Sequence, residues 1–290
     1  MGETMQSTMK KRKHRLLRRL LRRKTGVAGL VMLVAILILA ILAPWVAPYD
    51  PQDLSATEMR LRPSKMHLLG TDHLGRDILS RILYGARNSL LVGFSIALLS
   101  GTVGVLVGSV SAYIPKAGSV LMRIVDALMA FPVLILALAL MTITGESSMT
   151  NVIIALGIVY SPRMARTAYG LALRVKEFSF IEAAGALGAT RWRILSHHLI
   201  PNLIAPIIIQ LTFTCAMSIL GAASLDFLGV GSPPYIPSWG GMISEGRGFM
   251  RTAPWITTFP GLFLAALVLS LNLLGDSLRD SLDPRLRGVL

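Results

Sequence analysis

Apolar residues along this chain come in long runs rather than in alternation. Six stretches carry no charged side chain: 25–49, 88–115, 127–145, 147–162, 199–225 and 252–275. A bilayer core about 30 Å thick takes about 20 apolar residues as a helix, and five of the runs reach that scale. The fourth, 147–162, is short and must continue through Pro162 and Arg163 toward the membrane edge. The pattern predicts an all-α membrane protein of six transmembrane helices. Its outer loops are 50–87, 144–149 and 223–255, and its inner loops 114–123 and 163–198. Within the first outer loop the period changes. Ile78, Leu79, Ile82, Leu83 and Ala86 share one helical face, so a helix is expected from Asp77 to Leu91, running into the second span.

Composition agrees with the pattern. Of 290 residues 15% are charged, against about a quarter in soluble chains, and mean hydropathy is +0.63. Charge then sets the orientation. Ten of the 29 Lys and Arg lie within residues 1–24, a basic segment that precedes a single transmembrane domain, 25–290. A nucleic-acid patch could look like this, but a span follows directly, and positive-inside bias then holds both termini in the cytoplasm. On that topology 21 of the 29 cations fall inside and eight outside. Leu16, Leu17, Leu20 and Leu21 interleave with Arg18, Arg19, Arg22 and Arg23, which predicts a short helix on an anionic leaflet. The apolar run that follows exceeds the roughly 7–15 residues of a signal-peptide core, so it is read as a retained anchor. The lone cysteine, Cys215, falls inside a span as a small packing residue.

In the first outer loop, His67-Leu-Leu-Gly-Thr-Asp-His-Leu-Gly-Arg-Asp77 has the glycine spacing of a phosphate loop at Gly70 and Gly75. Arg76 and Asp77 replace its Lys and Ser/Thr, and Asp77 would repel phosphates. The glycines are therefore turn formers, not a nucleotide cradle. His67 and His73 lack a nearby third ligand in sequence, so no metal site is assigned. The run from Leu69 to Leu90, with Gly70, Thr71, Asp72, Gly75, Arg76 and Asp77, resembles the signature of the second permease subunit of dipeptide, oligopeptide and nickel ABC importers.

Between the fourth and fifth spans, the loop 172–200 carries Ser179-Phe-Ile-Glu-Ala-Ala-Gly-Ala-Leu-Gly-Ala-Thr-Arg-Trp192. Ser179 and Glu182 have capping-box spacing, Gly188 can stop a helix at positive φ, and Thr190 can cap a second one from Arg191 to Ile200. Glu182, Ala183, Ala184, Gly185, Leu187, Gly188, Ala189 and Trp192 resemble the EAA loop of ABC importer permeases. The resemblance implies that they form the coupling helix that docks on a cytoplasmic ATPase. His198 and Ile200 depart from the usual Ile and Leu.

Three further stretches extend the resemblance: Arg123 to Pro132, Phe227 to Met242, and Gly275 to Arg285. Asp126 is the single acid at a span, with Arg123 one turn away as its expected ion-pair partner. Gly104-x-x-x-Gly108 predicts close helix packing, not a dinucleotide fingerprint. With no other ionisable group deep in the runs, coupling to protons or sodium is disfavoured. A membrane enzyme using His197 and His198 remains the weak rival.

The resemblance implies a type I ABC importer permease fold without its own ATPase site or cofactor. It also implies partners: a homologous permease forming a heterodimer, two cytoplasmic ATPase subunits, and an extracytoplasmic solute-binding protein. The implied location is the bacterial inner membrane. The implied cargo is di- or oligopeptide, with nickel or another metal complex as the alternative.

Overall fold

The computed structural model describes residues 23–145 and 147–282. The helix expected at residues 16–22 and the last part of the tail motif lie outside the described residues. Nine helices are numbered here: α1 (Lys24–Val46), α2 (Ile78–Tyr113), α3 (Pro115–Met129), α4 (Val133–Thr144), α5 (Met149–Lys176), α6 (Ser179–Ala186), α7 (Arg191–Phe227), α8 (Trp239–Gly246) and α9 (Trp255–Leu282). Among the described residues there is no β-strand, only an isolated bridge between Thr71 and Asp77.

Among the described residues, α1, α2, α7 and α9 are long and apolar enough to cross a membrane. A fifth span results if α3 and α4 count as one helix bent by 96°. The straight span expected over 127–145 is therefore corrected. Pro132 has no N–H to give and disfavours helical dihedrals at Phe131, so the chain turns there. The 12 residues of α4 reach only about 18 Å alone. Helix α5 does continue through Pro162, as the short fourth run required, and ends only at Lys176. The inner loop thus begins some fourteen residues later than expected, and α5 carries Arg163, Arg166, Arg174 and Lys176 along its second half.

Helix α2 is the central post, packed by α1, α5 and α7. Its glycines set the distances. A Cβ on Gly104 would lie 2.6 Å from Met164 Cβ, and one on Gly108 would lie 2.3 Å from the Ala165 carbonyl oxygen. The expected small-residue packing is therefore an α2–α5 contact. Gly93 and Gly101 make similar room for Ile219 and Leu211 of α7. At the other side, Gly29 of α1 seats against Ser270 and Leu273 of α9, and Arg23 pairs with Asp280. Cys215 is partly buried and packs against the cluster around Ile219, Trp239 and Leu271.

Candidate functional site

The opening motif folds into a buried ion cluster at the start of α2. Gly70 and Gly75 take φ of +81° and +82°. A Cβ on either would also meet backbone, Leu61 O at 2.6 Å and Ser55 O at 2.0 Å. Both positions demand glycine twice over. These turns bring Asp72 inward, where it accepts from Leu74 N (2.8 Å), Arg76 N (3.0 Å), Arg76 Nε (2.6 Å) and Arg81 Nη1. Glu245 of α8 completes the group, accepting from Arg76 Nη2 and Arg81 Nη1, each at 2.7 Å.

Asp77 does a different task. One carboxylate oxygen caps α2 by accepting from the Ser80 N–H and hydroxyl, both at 2.8 Å, and the other faces His67 Nδ1 at 3.0 Å. His67 stacks on Tyr49, with ring centroids 4.7 Å apart. Thr71 accepts from Leu61 N at 2.8 Å and donates to Glu58 O. All six motif residues therefore converge on one small structure at the start of α2. It is stapled from below by two indoles: Trp239 Nε1 donates to Ile82 O (3.1 Å), and Trp255 Nε1 to Thr71 O (3.2 Å).

Electrostatics defines what this cluster can do. Burial alone would raise the Asp72 carboxyl, but Arg81, Arg76 and the two backbone N–H groups overcome it and hold it below its ordinary value. Asp72, His73 and Glu245 lie close enough together to suggest a cation site. Arg76 and Arg81 already neutralise both carboxylates, so a metal ion would be placed against two guanidiniums. The arrangement suits a lock between the segment before α2 and helix α8. Sequence reasoning missed Glu245, although it is the sole acid between Asp226 and Asp276. Within 223–255, expected only as a loop, Ser238 caps the short helix α8 by accepting from Gly241 N at 3.1 Å.

The second site lies between α5 and α7. Helix α6 starts where expected, but without the expected capping box. Phe178 is the last extended residue, so Ser179 already sits inside the helix and its side chain makes no cap. The register is off by one because the Phe178 N–H turns back onto Val175 O. The end of α6 follows the sequence. Gly188 adopts φ +81°, Ala189 N reaches Ala184 O and Gly188 N reaches Gly185 O, both at 3.0 Å, a Schellman closure. Thr190 then caps α7, accepting from Arg193 N at 3.4 Å.

Within this turn Ile181 is buried, and the rest projects outward. Leu187 is 89% exposed and Trp192 67%. Phe180, Ala183, Ala184, Leu187, Arg193 and His198 surround an open concavity. Helix α7 then widens into a π-helical turn, Ile194–Leu199, just ahead of Pro201. The proline ring would press on the carbonyl of His197 in a regular helix, and the wider turn relieves that contact. His197 Nδ1 shares a hydrogen bond with Ser196 Oγ at 2.7 Å, and His198 tilts against the Phe180 ring. Among the described residues the histidine pair contacts a hydroxyl and a phenyl ring and no acid.

A third prediction is corrected. Asp126 is paired, but with Arg166 of α5 and not with Arg123. Both Asp126 and Arg123 are exposed positions on α3, and the cross-helix partner was invisible to local spacing.

The chain matches known proteins over most of its length. Residues 68–288 match the binding-protein-dependent transport system inner membrane component family. The chain belongs to this family. Residues 14–63 also match the N-terminal transmembrane domain of oligopeptide transport permease C. As a family member it is a multi-pass inner-membrane component, a permease subunit. Such a permease is one part of a binding-protein-dependent importer.

A putative peptide transport system permease protein of Brucella suis is 43% identical over 93% of this chain and 91% of its own length. The dipeptide transport system permease protein of Haemophilus influenzae is 39% identical over 89% and 90%. The glutathione transport system permease protein of Pectobacterium atrosepticum is 40% identical over 93% and 90%. Among solved structures, an inward-facing MetNI methionine ABC transporter chain superposes with a TM-score of 0.58 at 21% identity. It covers 70% of this chain and 97% of its own. The fold is that of type I ABC importer permeases.

Proposed function

We propose that this chain is one of two transmembrane halves of an ATP-driven importer of di- or oligopeptides. The names of its relatives, which specify peptides, dipeptides and glutathione, favour peptide over nickel as cargo. The second half is a homologous permease, and a solute-binding protein delivers cargo to the outer face. In this reading α3–α4 and α5 are the third and fourth of six crossings, both termini are cytoplasmic, and 1–24 is a basic arm ahead of a single domain, 25–290. ATP is consumed in two partner subunits, and this chain needs no cofactor of its own.

The observation that carries the coupling role is the exposure of Leu187 and Trp192 beside the alanine-lined face of α6. Large apolar side chains held out on a rigid turn are anchors for a protein partner. Glu182, Ala183, Ala184, Gly185, Gly188 and Ala189 complete that surface. Small residues there let the partner approach the backbone closely. The outer-loop residues Gly70, Thr71, Asp72, Gly75, Arg76 and Asp77 hold the outer loops together instead of touching cargo.

The test is co-purification in detergent with the neighbouring ATPase subunits, comparing wild type with Glu182→Arg and Leu187→Asp at equal membrane levels. Retention by wild type and loss by both variants is the expected result. Equal retention by all three would remove the coupling assignment, and no ATPase on wild type would remove the importer assignment.

A further inference from the structure

The concavity at the coupling turn has two unlike walls. Phe180, Ala183, Ala184 and Leu187 recur at i, i+3, i+4 and i+7 and make an apolar wall along α6. Arg193 and His198, at the start of α7, make the other, and His198 closes one end against Phe180 with ring centroids 6.5 Å apart. About 660 Å³ of open space lies between them. Among the described residues nothing balances the basic wall. From residue 174 to residue 198 the sequence sets Arg174, Lys176, Arg191 and Arg193 against Glu177 and Glu182. Glu182 falls about 100° or more round α6 from every residue of the apolar wall, so it stands on another face. No ion pair among the described residues involves any of residues 167–198.

Such walls exclude most occupants. A purely apolar side chain would strip water from the Arg193 guanidinium and return no hydrogen bond, leaving a covered and unpaired charge. A cationic one would be repelled. An acidic side chain satisfies both walls. Its methylene stem packs on Ala183, Ala184 and Leu187, and its carboxylate takes two parallel N–H groups of Arg193. We propose that this concavity receives an aspartate or glutamate of the partner ATPase, with Arg193 as the counter-ion. The proposal rests on the coupling reading above and names the partner chemistry that the turn takes. Docking is then reciprocal: Trp192 enters the partner, and one acidic side chain of the partner enters between α6 and α7. An ion pair across the interface fixes register and orientation, which apolar contact alone does poorly. It also ties the partner to α7, a helix long enough to cross the membrane, so that a displacement of the partner acts on α7 directly as well as through α6.

The test uses the full chain assembled with the neighbouring ATPase subunits in lipid nanodiscs. Arg193→Lys keeps the charge and supplies an amine that a water-soluble carbodiimide joins to a touching carboxylate. The two condense to an amide, and the water lost converts the carbodiimide to a urea. The guanidinium of wild type does not couple, so wild type is the blank. Peptide mapping is expected to find the new amide between position 193 and an Asp or Glu of the ATPase. At equal membrane levels Arg193→Glu lowers ATPase retention about tenfold, and Arg193→Lys retains it. An amide to Glu177 or Glu182 of this chain, or to a lipid carboxylate, overturns the proposal. So does a complex of Arg193→Lys and ATPase that forms no amide at position 193, and so does full retention by Arg193→Glu. A wild type that holds no ATPase removes the coupling reading itself, which is a distinguishable failure.

Discussion

Arg76 and Glu245 lie 169 residues apart in sequence, and their side chains meet at 2.7 Å. That contact joins the loop before the second long helix to the helix before the last one. With Asp72 and Arg81 it makes a neutral quartet between the two segments. Removing one member exposes the others to the cost of unpaired burial. Asp72→Asn is expected to destabilise the chain by about 3–5 kcal/mol, and Glu245→Gln by less because Glu245 is more open. Unfolding midpoints of the purified variants in one detergent would check the order, and an unchanged midpoint for Asp72→Asn would refute it.

The same carboxylate gives a pH dependence of known sign. The Asp72 carboxyl is held below its ordinary 3.8 in the folded chain. Its contribution to stability is therefore present in full above about pH 4 and is lost as pH falls through the folded value. The midpoint difference between wild type and Asp72→Asn should be level from pH 8 to 5 and shrink below about pH 4. A difference that shrinks between pH 8 and 6 would point to another group.

Gly108→Leu should fail where Gly170→Ala succeeds. The first places carbon against the Ala165 carbonyl and the Ala168 Cβ, and backbone cannot step aside cheaply; the second meets nothing within 4 Å. Overpacking of this kind costs about 1–3 kcal/mol or more. Size-exclusion profiles of fluorescently tagged variants would separate the two. A monodisperse Gly108→Leu would show that α2 and α5 are not held at this distance.

Gly188→Val isolates a backbone effect. No atom lies near that position, but φ is +81°, which costs an L residue about 1–2 kcal/mol. The membrane level should hold while ATPase retention drops several-fold, because the turn reorients Leu187 and Trp192. Full retention would mean that the partner tolerates either turn geometry.

What the sequence made legible is whatever depends on short spacing. Gly70, Gly75 and Gly188 announced their turns, Thr190 its cap, and Gly104 with Gly108 a close helix contact. Long-range pairing was not legible. Glu245 is 169 residues from its partner, and Arg166, on another helix, took the place assigned to Arg123. Length and apolarity also overstated the third span. A charge-free run says nothing of direction, and a proline within it can turn the chain by 96°. The missed capping box at Ser179 has a similar cause, since the turn leaving α5 fixed the register before the side chain could.

The clasp between Arg23 and Asp280 constrains the topology by parity. These residues sit at the first turn of α1 and near the end of α9, and the two helices run antiparallel along Gly29 and Ser270. A contact between the start of α1 and the end of α9 is what an even number of crossings would produce, as in the six proposed above. In that proposal the bent α3–α4 pair and α5 both cross, and a membrane-impermeant reagent is expected to find residues 23 and 280 on the same side.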